Sequence, residues 1–215
     1  MKHILIMVFM VSFMNTYSQQ IFAEFGKNSS YFDYTNSSGG ELDNLFSKSN
    51  TYIGFGYRDV INRDKTLFVS IGVNYQKYGA IGSDRTLDNF FEWEISYAGL
   101  QAAVDYRIFR LRDFSFYFKG SVSGEFLIEG TQTVNNQVFN LVGEDEFNSY
   151  FFFLKGGLMV TYPLSRTAFL TANYSFGKST QLNEGNSEDK EKLNLQVHQF
   201  GIGFIINLPY CNCPY

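Results

Sequence analysis

The stretch "TLFVSIGVNYQKY" (66–78) places Leu67, Val69, Ile71, Val73 and Tyr75 on one parity, with Phe68, Ser70, Gly72, Asn74 and Gln76 on the other. A period of two sustained over such a run is the pattern of a strand with two unlike faces. Which face meets water, and which meets something more apolar, decides the class of the protein.

Working outward, eight segments carry this patterning: 20–35, 51–61, 66–79, 93–109, 113–130, 149–163, 167–178 and 193–209. The connections alternate. "NRDK" (62–65), "RLRD" (110–113) and "PLSR" (163–166) are tight, whereas 36–50, 80–92, 130–148 and 179–192 are long. Consecutive hairpins must turn at opposite ends of a sheet, so an up-and-down meander of eight antiparallel strands predicts this alternation. "RDVI" (58–61) fits the alternation poorly and is read as a bulge.

Composition agrees with strands. Aromatic residues make up 19% of the 215, with Phe 24 and Tyr 15 against a single Trp, while Pro is only 3. Mean hydropathy is -0.15, and no apolar run approaches the ~20 residues of a spanning helix. The net charge of -4 comes without a basic stripe, which excludes nucleic acid as a partner. At the start, Lys2, the apolar run Ile4 to Met14 and the small-x-small site Thr16-Tyr17-Ser18 read as a signal peptide over 1–18. That leaves a barrel over 19–210 and a short tail over 211–215 on the side of the termini.

One parity of the strands is apolar: Leu100, Val104 and Tyr106; Phe114, Phe116, Phe118, Val122 and Phe126; Phe152, Leu154 and Leu158; Leu170, Tyr174 and Phe176; Phe200, Ile202, Phe204 and Ile206. The other is small or polar, including Ser70, Asn74, Gln101, Asp105, Ser123 and Asn173. A soluble barrel would turn the apolar row inward, and a transmembrane barrel turns it outward. Export, strands longer than the 9–11 residues of a crossing, a Gly/Ser/Asn-rich opposite face and aromatics at strand ends favour the second. The expected girdle comprises Tyr57, Tyr75, Tyr78, Tyr106, Phe114, Tyr150, Phe151, Tyr162, Tyr174, Phe176 and Tyr210.

The signal ending in Ser-Gln-Gln, the eight strands with short proximal turns and the closing strand "HQFGIGFIINLPY" (198–210) resemble the small outer-membrane β-barrels, including the PorT-like and OmpX-like barrels of the Bacteroidota. The resemblance covers the mature chain and implies an all-β, eight-stranded antiparallel barrel. It brings no catalytic motif, and the residues after Tyr210 depart from the usual terminal aromatic.

For chemistry, an inward cluster of Asp105, Arg107, Lys119, Glu125 and Lys155 is read as a salt-bridged plug, with an ion path as the alternative. His198, the one His beyond the signal, shares parity with the apolar row. It reads as interfacial, the rival being a lipid-modifying hydrolase using Ser175 or Ser179. The acidic runs "GEDEF" (143–147) and "EGNSEDKEK" (184–192) lack ligand spacing for a cation and read as solvated loop. Leu42, Leu45 and Phe46, then Val134, Val138, Phe139, Leu141 and Val142, form either a lid or a partner surface. Cys211 and Cys213 are free thiols, a local bridge or a disulfide to a partner. The expected role is a non-enzymatic structural or binding barrel, or an accessory subunit of a larger outer-membrane assembly or secretion complex. A narrow transporter is a further alternative. The expected partners are outer-membrane lipid and other outer-membrane proteins, with no cofactor and no metal.

Overall fold

The computed structural model describes residues 19–35, 45–84, 89–142, 150–180 and 192–208. These form nine strands: β1 (Gln20–Thr35), β2 (Leu45–Val60), β3 (Leu67–Asp84), β4 (Asn89–Leu111), β5 (Phe114–Val134), β6 (Gln137–Asn140), β7 (Tyr150–Pro163), β8 (Ala168–Ser179) and β9 (Lys192–Asn207). Every neighbouring pair is antiparallel. The order β4-β3-β2-β1-β9-β8-β7-β5 closes through a β4–β5 ladder, so eight strands make a barrel, as expected from the alternating connections. The short β6 lies outside it and pairs with the far end of β5. The first and last strands meet from Gln20↔Asn207 to Thr35↔Lys192.

The tight turns are held by their own side chains. Asn62 Oδ1 accepts from the Thr66 and Leu67 amides at 2.9 Å, while Lys65 takes φ 53°. Arg112 takes φ 53° between β4 and β5. Ser165 Oγ accepts from the amides of Thr167 at 3.2 Å and Ala168 at 3.0 Å. These polar turns stand at one end, where β1 starts and β9 finishes.

The opening strand's question has its answer. Ile71 and Val73 are 65% and 53% exposed, whereas Ser70, Asn74 and Gln76 are buried. The apolar row faces out on every barrel strand, through Phe55, Leu100, Val122, Leu158, Leu170 and Ile202 among others. Small inward residues make the lumen possible. The Tyr52 ring crosses it against Gly26 and Gly201, and a Cβ at Gly201 would overlap the Tyr52 hydroxyl. Gly201→Val is therefore expected to push the Tyr52 ring aside, break its bond to Asn173 and destabilise the barrel, read as loss of the heat-modifiable band at a lower temperature. An unchanged temperature would mean that the lumen is looser than these contacts show.

Four strands run further than the sequence pattern indicates. β2 begins at Leu45, and β3 and β4 continue through 80–84 and 89–92 as a paired ladder to Asp84↔Asn89. β5 reaches Val134 and turns back into β6 through Asn135 and Asn136, whose φ of 47° and 69° suit a type I′ hairpin. At about 3.3 Å per residue, the 23 residues of β4 span roughly 75 Å along the strand, about twice a bilayer crossing. The alternation changes meaning on the way. Low on β4, Leu100, Val104 and Tyr106 point out, but higher up Ile95 and Tyr97 point in and are buried. The apolar parity inverts there, so a reading based on one apolar face stops at that point.

Candidate functional site: a sealed lumen beneath an extended rim

The lumen is filled in layers. Nearest the tight turns, the Arg58 guanidinium donates from Nε to Asp105 Oδ2 at 2.8 Å and from Nη1 to Gln20 Oε1 at 2.7 Å. It also lies 3.8 Å from the centre of the Phe68 ring, which packs with Val60, Tyr117 and Met159. Above it, Lys119 Nζ reaches Glu24 Oε2 at 2.9 Å, and Asn173 donates to the same oxygen at 3.2 Å. Gln76 then accepts from Gln199 at 3.2 Å and from Asn28 at 3.4 Å. Glu125, fully buried, accepts from Tyr78 and Ser123 at 2.7 Å each, with Lys155 Nζ at 3.6 Å. A charge in a dry interior is tolerable only when paired and hydrogen-bonded in this way.

The expected cluster is thus placed in three separate pairs, with Asp105, Lys119, Glu125 and Lys155 all inward. Arg107 stands apart from them. It is half-buried at the mouth, beside the β4–β5 register shift, and donates to the Asp64 carbonyl at 3.2 Å. The sequence reading missed Arg58 and Glu24, the partners of two of the pairs. Parity was available for both. Arg58 follows Gly54 and Gly56, and Glu24 lies between Phe22 and Gly26, each on the inward row of its strand.

At the long-loop end the lumen is closed by an apolar plug of Phe32, Tyr78, Ala80, Ile95, Tyr97, Phe151, Phe153, Leu195 and Val197, capped by Leu141. Tyr78 stacks on Phe153 at 5.9 Å, and Tyr97 meets Phe151 edge-on at 4.7 Å. Leu45 and Trp93 pack against the plug. Of the suspected lid or partner residues, Leu45 and Leu141 therefore close the plug. Phe46, Val138 and Phe139 instead face outward, at 62%, 67% and 49% exposure. Leu42, the runs 143–147 and 184–191, Tyr210, Cys211 and Cys213 lie outside the described residues. No three His, Cys, Asp or Glu side chains gather to hold a metal among the described residues.

On the outer wall above Tyr75, Lys48 pairs with Glu92 at 2.5 Å and with Glu94, and Lys77 reaches Glu94 at 3.0 Å. The hydrogen bond from Lys48, with the neighbouring Lys77, holds the Glu94 carboxyl below the usual carboxylate range. The apolar band thus gives way to ionic surface on this side.

No protein-family profile matches this sequence, and no curated protein does. Solved structures do. A major outer membrane protein from Thermus thermophilus superposes with a TM-score of 0.51 at 14% identity, covering 86% of this chain and 99% of that one. The outer membrane protease OmpT of Escherichia coli gives 0.48 at 6% identity, with 90% and 98% covered. Neisserial surface protein A gives 0.47 at 12%, with 87% and 97% covered. The fold is that of a small outer-membrane β-barrel. Identities this low speak for the fold alone.

In such a barrel the outward apolar row is the face turned to lipid. The aromatic girdle needs two corrections. Tyr75, Tyr106, Phe114, Tyr150, Tyr162, Tyr174 and Phe176 do stand on the outer surface, but Tyr78 and Phe151 are buried in the plug. Their own parity, shared with Gln76 and Phe153, already pointed inward. His198 lies on the outer wall between Tyr174, whose hydroxyl is 2.9 Å from Nδ1, and Tyr31, 3.3 Å from Nε2. Ser175 bonds Gln199 at 3.4 Å and Ser179 accepts from the Leu195 amide at 2.9 Å, both on the lumen side. The suspected hydrolytic pair is thus split between opposite faces of the wall, with tyrosine hydroxyls at both ring nitrogens.

Proposed function

We propose that the protein is inserted in the outer membrane as a binding module whose recognition surface is the sheet rising beyond the apolar band. The observation that carries this reading is the β5–β6 hairpin. All four residues of β6 are exposed, and among the described residues β6 pairs only with β5. Its turn is tied to β4, with Asn135 Oδ1 accepting from the Phe90 amide at 2.9 Å and the Asn135 amide donating to the Phe90 carbonyl at 3.1 Å. A fixed, open strand edge beside exposed Phe90, Val138, Phe139 and Val142 suits an extended polypeptide adding as a further strand. The partner class is another exported or outer-membrane protein, which makes an accessory role in a larger assembly the natural setting. The packed lumen favours this over transport, since an eight-stranded interior is only wide enough for side chains to fill.

Ladder alternation allows a clean test. Gln137 and Phe139 turn their backbone groups toward β5, which leaves those of Val138 and Asn140 on the open edge. Val138→Pro therefore removes an edge donor while sparing the hairpin ladder. A photo-crosslinking residue at Phe139 is expected to give a discrete polypeptide adduct in native membranes, absent from a control at Leu158 and lost with Val138→Pro. Adducts to lipid alone, or an adduct indifferent to the proline, would sink the reading.

A further inference from the structure

At the tight-turn end the barrel opens into a vestibule of about 290 Å³. Lys65, Arg107 and Arg110 line it, with Asp113 as the one acid, and Arg58 lies at its inner side. Arg58 is already matched by Asp105 at 2.8 Å, so the three other cations less one acid leave a local charge of +2 in a chain of net charge -4. Arg107 and Arg110 are fixed by backbone carbonyls, those of Asp64 at 3.2 Å and Arg112 at 3.0 Å. Those bonds orient the guanidinium groups without neutralising them. Arg58 is only 4% exposed, yet its Nη2 has no hydrogen-bond partner; it also borders a small inner cavity with Asp105 and Lys119. Among the described residues every arginine belongs to this end: Arg58, Arg63, Arg107, Arg110, Arg112 and Arg166. Asp59 is near, but its Oδ1 accepts from the Val60 amide and it does not line the vestibule.

We infer that this vestibule binds a phosphate group carrying two negative charges. Guanidinium forks match phosphate oxygens in pairs. The apolar walls formed by Phe68, Tyr117 and Phe169 concentrate the field of the cations in the mouth. The hydroxyl residues Ser115 and Thr161 also line the vestibule, while the Gln20 amide is spent on Asn207 Oδ1 at 2.7 Å. With the barrel inserted as proposed and its tight turns in the periplasm, the phosphate belongs to a phosphorylated periplasmic solute or to an inner-leaflet phospholipid headgroup.

The test uses the full folded chain in zwitterionic detergent. Inorganic phosphate is titrated at pH 7.5 and followed by phosphorus-31 line broadening. Phosphatidic acid in phosphatidylcholine nanodiscs is measured in parallel by native mass spectrometry. Arg107→Gln with Arg110→Gln is expected to weaken binding about tenfold or more, and Asp113→Asn to tighten it. Both sets of changes lie at an exposed mouth, and heat-modifiability on a gel confirms that each variant is folded. Saturable binding of inorganic phosphate supports a solute, whereas retention of phosphatidic acid without it supports the headgroup. No binding of either probe, or binding unchanged in the double variant, overturns the inference. The crosslinking test at β6 concerns the opposite end of the barrel, so failure of one reading leaves the other standing.

Discussion

Asp105→Ala is expected to cost the barrel about 3–5 kcal/mol, because it leaves the Arg58 guanidinium charged, buried and without its carboxylate. Both side chains are 4% exposed, and the Arg58 Nε to Asp105 Oδ2 bond at 2.8 Å is the short contact between them. Gln20 Oε1 and the Phe68 face cannot replace a negative charge. The converse change isolates the cause. Replacing both residues together, with Arg58→Met and Asp105→Leu, removes the charges as well as their attraction and is expected to recover most of the lost stability, since apolar replacement of a buried pair is often neutral or better. Denaturant unfolding in lipid vesicles measures both, with Trp93, the sole tryptophan, as the reporter. A loss under about 1 kcal/mol for Asp105→Ala would show that water reaches this layer and screens the pair.

Phe153→Ala is expected to cost about 3–5 kcal/mol by opening a cavity in the plug. The ring is fully buried, stacks on Tyr78 at 5.9 Å, contacts Phe151 at 5.8 Å and sits under Lys155 Nζ at 5.0 Å. Removing it strips neighbours from three residues at once, including the tyrosine that bonds Glu125. Phe153→Leu keeps most of the volume and is expected to cost under about 1.5 kcal/mol. The same unfolding measurement compares the two. Equal small losses would mean that the long-loop end of the lumen is fluid and the aromatic contacts do not seal it.

Strand number, the closing pair and the outward apolar row were legible from 66–78 and its counterparts, because lipid outside and a narrow polar lumen inside impose period-two alternation on every crossing. The plug was not legible as such. Ile95, Tyr97, Phe151 and Phe153 carry apolar character on the parity that elsewhere is polar, and an apolar residue on the inward row looks the same in sequence as a break in the pattern. For the same reason the stretch 80–92 reads as a loop, although 80–84 and 89–92 are paired strand. His198 was placed correctly on the outer wall by parity, but its tyrosine partners come from β1 and β8 and no local spacing announces them.

The sequence by itself therefore determined the class, the number of crossings, the direction of the side chains within the apolar band and the end at which the tight turns lie, all of which follow from local periodicity and turn chemistry. Tertiary structure alone decided who pairs with whom. Arg58 finds Asp105 across 47 residues, Lys119 finds Glu24 across 95, and Lys65, Arg107 and Arg110 converge on one mouth only because the β2–β3 and β4–β5 turns meet there. Those contacts depend on strand register around a closed ring, a property of all eight strands together that no single stretch of chain carries.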